Sequence, residues 1–164
     1  MDNLTIRRLD PTTDTTLYAA AWDWNTAAPR WVRDCAKVFE APTFAEFLAQ
    51  ASDPGRVDVG VWEGDKFTGL ITIILRDTHV YEVFLAAKRG ASLDALGAAI
   101  EDVKAVLTRA GMLQTFVWIA AQNRAILTMC EALGLNFTGL EMYKGATHGR
   151  PIRWRMMNYV PSLI

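Results

Sequence analysis

The stretch from Val80 to Leu135 limits the possible architectures more than any other part of the chain. An apolar run, Tyr81–Ala87, breaks at Lys88-Arg89-Gly90. A long amphipathic segment opens near Ser92, a second apolar run covers Gln114–Ala120, and Asn123 precedes another helical segment. Strand, glycine-containing turn, helix, strand, helix is the order of a βαβ unit. Its first turn places free backbone N–H groups at a helix N-terminus, which suits an anionic group such as a pyrophosphate.

The remaining elements are read around that unit. In the long helix Leu93, Leu96, Ile100, Val103 and Leu107 recur at three- and four-residue steps, a stripe to pack on a sheet, and Gly111 stops it. Upstream, Val57, Val59 and Val61 alternate with Asp58 and Gly60. Glu63–Lys66 makes a hairpin turn, Phe67–Leu75 returns as a strand, and Arg76-Asp77-Thr78 turns into His79–Ala87, an antiparallel meander. Leu4–Leu9 reads as a first strand. A helix over Thr15–Trp24 follows, with Leu17, Ala20, Ala21 and Trp24 on one side. Further helical segments are expected over Arg30–Phe39 and from Pro42-Thr43 through Gln50, the latter with Phe44, Phe47 and Leu48 inward. After Gly134, Asn136–Tyr143 and Arg150–Tyr159 form a closing hairpin. In its second arm Ile152, Trp154 and Met156 share one face and Arg153 and Arg155 the other. The whole predicts a single α+β domain over residues 1–164, with a mixed, mostly antiparallel central sheet flanked by helices.

Composition narrows the function classes. A chain of 164 residues that is 51% hydrophobic and 21% charged is an ordinary globular protein with room for one core. A formal net charge of -1 offers no strong attraction to nucleic acid or to an anionic membrane, so neither is expected as a partner. Cys35 and Cys130 form no disulfide framework and match no metal-ligand spacing. The N-terminus lacks the apolar core of a signal peptide, and no run approaches membrane-spanning length. A cytosolic protein with reduced thiols is expected.

The element order resembles the GNAT superfamily, whose members transfer an acyl group from acyl-CoA to an amine. The family's Gln/Arg-x-x-Gly-x-Gly/Ala turn, which holds the CoA pyrophosphate, corresponds to Ala87-Lys88-Arg89-Gly90-Ala91-Ser92. Gly90 matches, Ala87 and Ser92 depart, and Lys88 and Arg89 add positive charge. Asn123 matches the asparagine that often opens the later helix. Glu131, Leu133 and Gly134 fall in register with that helix's Tyr-x-Lys-x-Gly-Phe ending, while Cys130, Ala132 and Leu135 replace its tyrosine, lysine and phenylalanine. The resemblance implies acetyl-CoA as cosubstrate, an amine-bearing acceptor as partner, and Phe84, Leu85, Lys88, Arg89, Gly90, Ala91, Ser92 and Asn123 as the cofactor site. Glu82 aligns with a catalytic glutamate of some members, and amides around Phe84 and Leu85 would polarise the thioester. Cys130 stands where a tyrosine commonly protonates the departing thiolate.

Each of these residues has a plainer reading. Glu82 lies among Tyr81, Val83, Phe84 and Leu85, surroundings that suit a carboxylate to proton transfer near neutral pH, or it faces outward as a surface charge. Cys130 is a proton donor or a small buried hydrophobe. His79 at a strand end and His148 in a glycine turn are surface histidines on this reading, and Asp94 complements the helix dipole although it would repel a phosphate. Arg150, Arg153 and Arg155 form a basic ladder or a solvated face. Trp22, Trp24 and Trp31 wall a substrate groove or belong to the core. The alternative function is a GNAT-like binding or structural component that has lost the chemistry, similar to GNAT-like virion or accessory proteins of short-tailed bacteriophages. A homo-oligomer or a virion partner is left open.

Overall fold

The computed structural model describes residues 3–27 and 43–161. The helical segment expected over Arg30–Phe39, with Trp31 and Cys35, lies outside the described residues. Within them the order is β1 (Leu4–Arg8), α1 (Thr15–Ala27), α2 (Phe44–Gln50), β2 (Arg56–Glu63), β3 (Lys66–Asp77), β4 (Val80–Ala87), α3 (Leu93–Arg109), β5 (Gln114–Ala120), α4 (Arg124–Ala132), β6 (Asn136–Thr147) and β7 (Arg150–Tyr159). The strands form a seven-stranded sheet in the order β1-β2-β3-β4-β5-β7-β6. Neighbours run antiparallel except β4 and β5, which are parallel because α3 carries the chain back between them. The expected mixed α+β sheet is present. No helix among the described residues is long and apolar enough to cross a membrane.

Both faces of the sheet are covered. Helices α1 and α2 close one face over β1–β4, where Leu9, Tyr18, Ala21, Phe47, Leu70, Phe84 and Ala86 form a buried cluster. Helix α3 closes the other face over Val61, Ile71 and Ile73 through Leu96, Ala99 and Val103. Helix α4 continues that layer over Val117, Ile119 and Met157.

This double covering explains where the sequence patterns mislead. In α3 the inward face is Ala95, Leu96, Gly97, Ala99 and Val103. Ala99 packs with Leu96 and Val103 against the sheet, Gly97 leaves room for Met129 of α4, and Leu93, at the first position, is left 44% exposed. The inward face of α1 is Tyr18, Ala21 and Asn25, whereas Leu17 and Trp24 are only partly buried. On β7, Ile152 and Trp154 are buried on the face away from α4, but Met156 is only half-buried and Met157 is buried beneath α4. Strand β6 runs on to Thr147, bent by irregularities between Phe137 and Glu141 and between Tyr143 and Ala146.

The polar half of the β2 alternation is also inside. Asp58 is 3% exposed and serves as the hub of a sealed cluster. Tyr18 Oη donates to its Oδ2 over 2.7 Å, Thr72 Oγ1 to its Oδ1 over 2.6 Å, and Arg56 Nε to Oδ1 over 3.0 Å. The Arg56 guanidinium also lies 5.7 Å from the Phe47 ring centre. A carboxylate with three donors, one of them a cation, is a tolerable burial; one partner alone is not.

Asp58→Ala would leave the Arg56 charge buried without its counterion, and should cost about 3–5 kcal/mol in urea unfolding. Burial and the Asp58 charge push the Tyr18 phenol far above its ordinary 10.0. The folded protein therefore keeps a proton that the unfolded chain releases. This contribution to stability is whole below about pH 10 and is lost as pH rises above it. Tyr18→Phe should flatten that alkaline loss in unfolding curves taken across pH.

Candidate functional site

The parallel pairing between β4 and β5 is short. It joins Val80 to Gln114, Tyr81 to Thr115 and Glu82 to Phe116, and goes no further. Each strand nevertheless continues to pair on its outer side: β4 follows β3 to the Gly69–Ala87 rung, and β5 follows β7 to the Ala120–Trp154 rung. The sheet thus opens between Val83–Ala87 and Val117–Ala120. On the α3 and α4 side the opening is lined by Leu85, Ala87, Leu96, Val117, Ile119, Asn123 and Ile126 around a cleft of roughly 130 Å³.

The edge of β4 that faces the opening carries usable donors. Lys88 N–H donates to Thr68 O over 2.9 Å, toward β3. Amides alternate in direction along an antiparallel ladder, so those of Ala86 and Phe84 also point at β3. Those of Leu85 and Ala87 point into the cleft. Of the pair expected to polarise a carbonyl, Leu85 is aimed to do so and Phe84 is not. The Phe84 side chain is buried in the cluster under α1.

The turn after β4 is built from its own residues. Ala91 N–H donates to Lys88 O over 3.0 Å, closing a tight turn around Arg89 and Gly90. Gly90 sits at φ +84°, a left-handed conformation that side chains resist. Ser92 caps α3, its side chain accepting from Ala95 N–H over 3.2 Å. Among the described residues, no hydrogen bond engages the backbone N–H groups of Arg89, Gly90, Leu93 or Asp94. The Ser92 amide is different: it donates to Glu63 Oε2 over 3.3 Å. Lys88 and Arg89 are exposed on the turn. A diphosphate would meet four open amides, two cations and two carboxylates, those of Glu63 and Asp94.

Glu82 occupies the last paired rung before the opening. It is 5% exposed on the α1 side of the sheet, so the outward-facing reading fails. Its partner is Arg76, whose Nε lies 2.9 Å from Oε2. The alternation of β4 puts Tyr81, Val83 and Leu85 on the α3 side, where they pack among Ile71, Ile73 and Leu96, away from the Glu82 carboxylate. Sequence reasoning missed Arg76 and Glu63, because each meets its partner through cross-strand or inter-element geometry.

Asn123 lines the cleft and caps α4, its Oδ1 accepting from Ile126 N–H over 3.4 Å. Cys130 is 2% exposed among Val117, Ile119, Leu127, Leu135 and Met157. It borders a small apolar cavity of roughly 30 Å³ that shares Leu85 and Val117 with the cleft lining. His79 and His148 occupy exposed turn positions with φ of 59° and 51°. Arg153 and Arg155 share Glu141, at 3.7 and 3.4 Å, so they form no uncompensated ladder. Trp22 stacks on Phe47 and Trp24 meets Phe67, with ring centres 5.4 and 4.9 Å apart, both against the core under α1.

No family model and no curated protein matches this sequence. Solved structures do match in shape. The chain overlays an acetyltransferase of the GNAT family from Streptococcus pneumoniae with a TM-score of 0.75 and 17% identity, over 97% of this chain and 99% of the other. The fold is that of the GNAT acetyltransferases. Similar too is yncA from Salmonella typhimurium, in a structure with its cofactor acetyl-CoA: TM-score 0.74, 19% identity, 96% of this chain and 94% of the other. The ribosomal-protein-S18-alanine N-acetyltransferase from Escherichia coli gives 0.75 and 18% over 98% and 96%. At such identities the GNAT fold is shared while side chains at the site are free to differ.

The turn offers a direct check. A Cβ at Gly90 would touch nothing within 4 Å, so Gly90→Ala tests backbone conformation alone. It should cost about 1–2 kcal/mol in thermal or urea unfolding, the cost of a left-handed non-glycine residue. A glycine-like melting curve for the variant would show that the turn does not need the positive φ.

Proposed function

We propose that this protein is an acyl-CoA-dependent N-acyltransferase that uses acetyl-CoA and transfers its acyl group directly to an amine. The observation that carries the reading is the opening of the sheet beyond the Glu82–Phe116 rung, next to a turn with four unengaged amides. A narrow apolar cleft suits an extended pantetheine arm, and the turn suits its diphosphate. The GNAT fold, shared with a protein whose structure holds acetyl-CoA, supports the same reading.

The roles follow from placement. Open amides of Arg89, Gly90, Leu93 and Asp94 bind the diphosphate with help from Lys88 and Arg89; Ala91 shapes the turn and Ser92 caps the helix behind it. Asn123 and the apolar cleft wall hold the arm. The Leu85 amide donates to the thioester oxygen as negative charge develops there. Glu82, at the apex of the opening, accepts a proton from the acceptor's ammonium, and Arg76, 46% exposed at its side chain, can swing aside to free the carboxylate. Acetyl-CoA supplies the activated acyl group: a carbon–nitrogen bond forms, the carbon–sulfur bond breaks, and the second nitrogen proton goes to the leaving sulfur. This balance needs no side-chain acid, and Cys130 is buried among apolar side chains.

One set of observations favours a second reading, a GNAT-fold binding protein without turnover. Glu82 is held by Arg76 and the Ser92 amide by Glu63. Ligand binding and turnover separate the two. Acetyl-CoA at about 100 times its dissociation constant should stabilise the fold by roughly 2.7 kcal/mol, a clear rise in melting temperature. No shift with acetyl-CoA or CoA removes the transferase reading. Glu82→Gln should keep that shift and lower the rate of transfer to an amine roughly 100-fold or more. Turnover equal to wild type would show that Glu82 is not the base.

A further inference from the structure

We propose, resting on the diphosphate site assigned above, that Glu63 is a built-in anion that occupies part of that site in the free protein and sets how tightly CoA is held. The contact spans 29 residues of sequence: Ser92 N–H donates to Glu63 Oε2 over 3.3 Å. Glu63 is the last residue of β2, half-buried, and Gly64 after it donates its N–H over 2.7 Å to the O of Asn3, the residue before β1. The hairpin therefore delivers the carboxylate to the turn from a fixed base.

The chemistry of the competition is simple. Ser92 commits its side chain to the Ala95 amide, which leaves its backbone N–H as the group an outside anion can take. That N–H belongs to the same helix terminus as the open amides of Leu93 and Asp94. A carboxylate and a phosphate are both drawn to it by the same partial positive charge. Lys88 and Arg89 favour a bound diphosphate, and Glu63 and Asp94 oppose it. Of the two acids only Glu63 is hydrogen-bonded to an amide of the turn among the described residues. A diphosphate must either displace the Glu63 carboxylate or sit beside a like charge, and both weaken binding. Displacement frees the Ser92 amide as a further donor and needs only a turn of the Glu63 side chain, because its backbone stays paired.

The test measures dissociation constants of CoA and of pantetheine, which carries the same arm without phosphate, for the wild-type protein, Glu63→Gln and Glu63→Ala. Both variants should bind CoA about tenfold more tightly at low ionic strength. The gain should shrink as salt approaches about 1 M, where screening acts within a few ångströms. Pantetheine should bind all three proteins equally. Equal CoA affinity across the three would overturn the role of Glu63 and leave the diphosphate site standing. Weaker CoA binding by the variants, or a parallel change for pantetheine, would show that the contact only supports the turn. If none of the three binds CoA, the diphosphate site and the role of Glu63 fall together.

Discussion

The cleft and the turn beside it depend on two parallel strands that stop pairing partway along. Main-chain polar groups seldom go without partners inside a protein. Here the facing edges of β4 and β5 beyond Glu82 and Phe116 have been drawn apart, and their outer edges remain bonded to β3 and β7. The opening cannot close without giving up one of those ladders. Helices α3 and α4 wall it with Leu96, Ile126 and Asn123, so the gap becomes a lined cleft. The fold holds a set of unspent backbone donors beside an apolar channel, and that combination suits a long ligand with one charged end.

The α1 side of the sheet shows how two arginine–carboxylate pairs can serve different purposes. Arg56, Ile74 and Glu82 lie on one rung across three strands. At one end, Arg56 and Asp58 are sealed, with side chains 3% and 1% exposed. Separating them would strand a charge in a medium of low polarity, so that pair stiffens β2 and β3 against α1. At the other end Glu82 is equally buried but Arg76 is 46% exposed. An exposed guanidinium loses little by turning to water, which leaves the carboxylate available to another cation. The sealed pair anchors the sheet next to the strand that carries the candidate base.

Several features were legible because they arise from neighbours in sequence. The alternation of Val57, Val59 and Val61, the glycine turn at Glu63–Lys66 and the helical steps from Leu96 to Leu107 are local, and the strands and helices stand where these signals put them. Gly90 was readable for the same reason: a tight turn before a helix asks for a left-handed residue. The misreadings have a common origin. Glu82 reads as an outward charge only if one face of the sheet is bare, and α1 and α2 cover that face. Leu93 reads as part of an apolar stripe, yet small residues such as Ala95 and Ala99 are among the buried positions of α3, and small residues give a weak signal.

The order of strands and helices, and with it the parallel crossover through residues 80–135, was determined by the sequence alone, because periodicity and turn chemistry act over a few residues. Which polar groups meet was decided only by the tertiary structure. Glu82 met Arg76 across a strand pair, Ser92 met Glu63 at the end of a hairpin, and Cys130 came to rest in the core between α4 and the sheet. These pairings depend on register, twist and the direction in which each amide points. Such quantities belong to the assembled sheet and leave no trace in residue spacing.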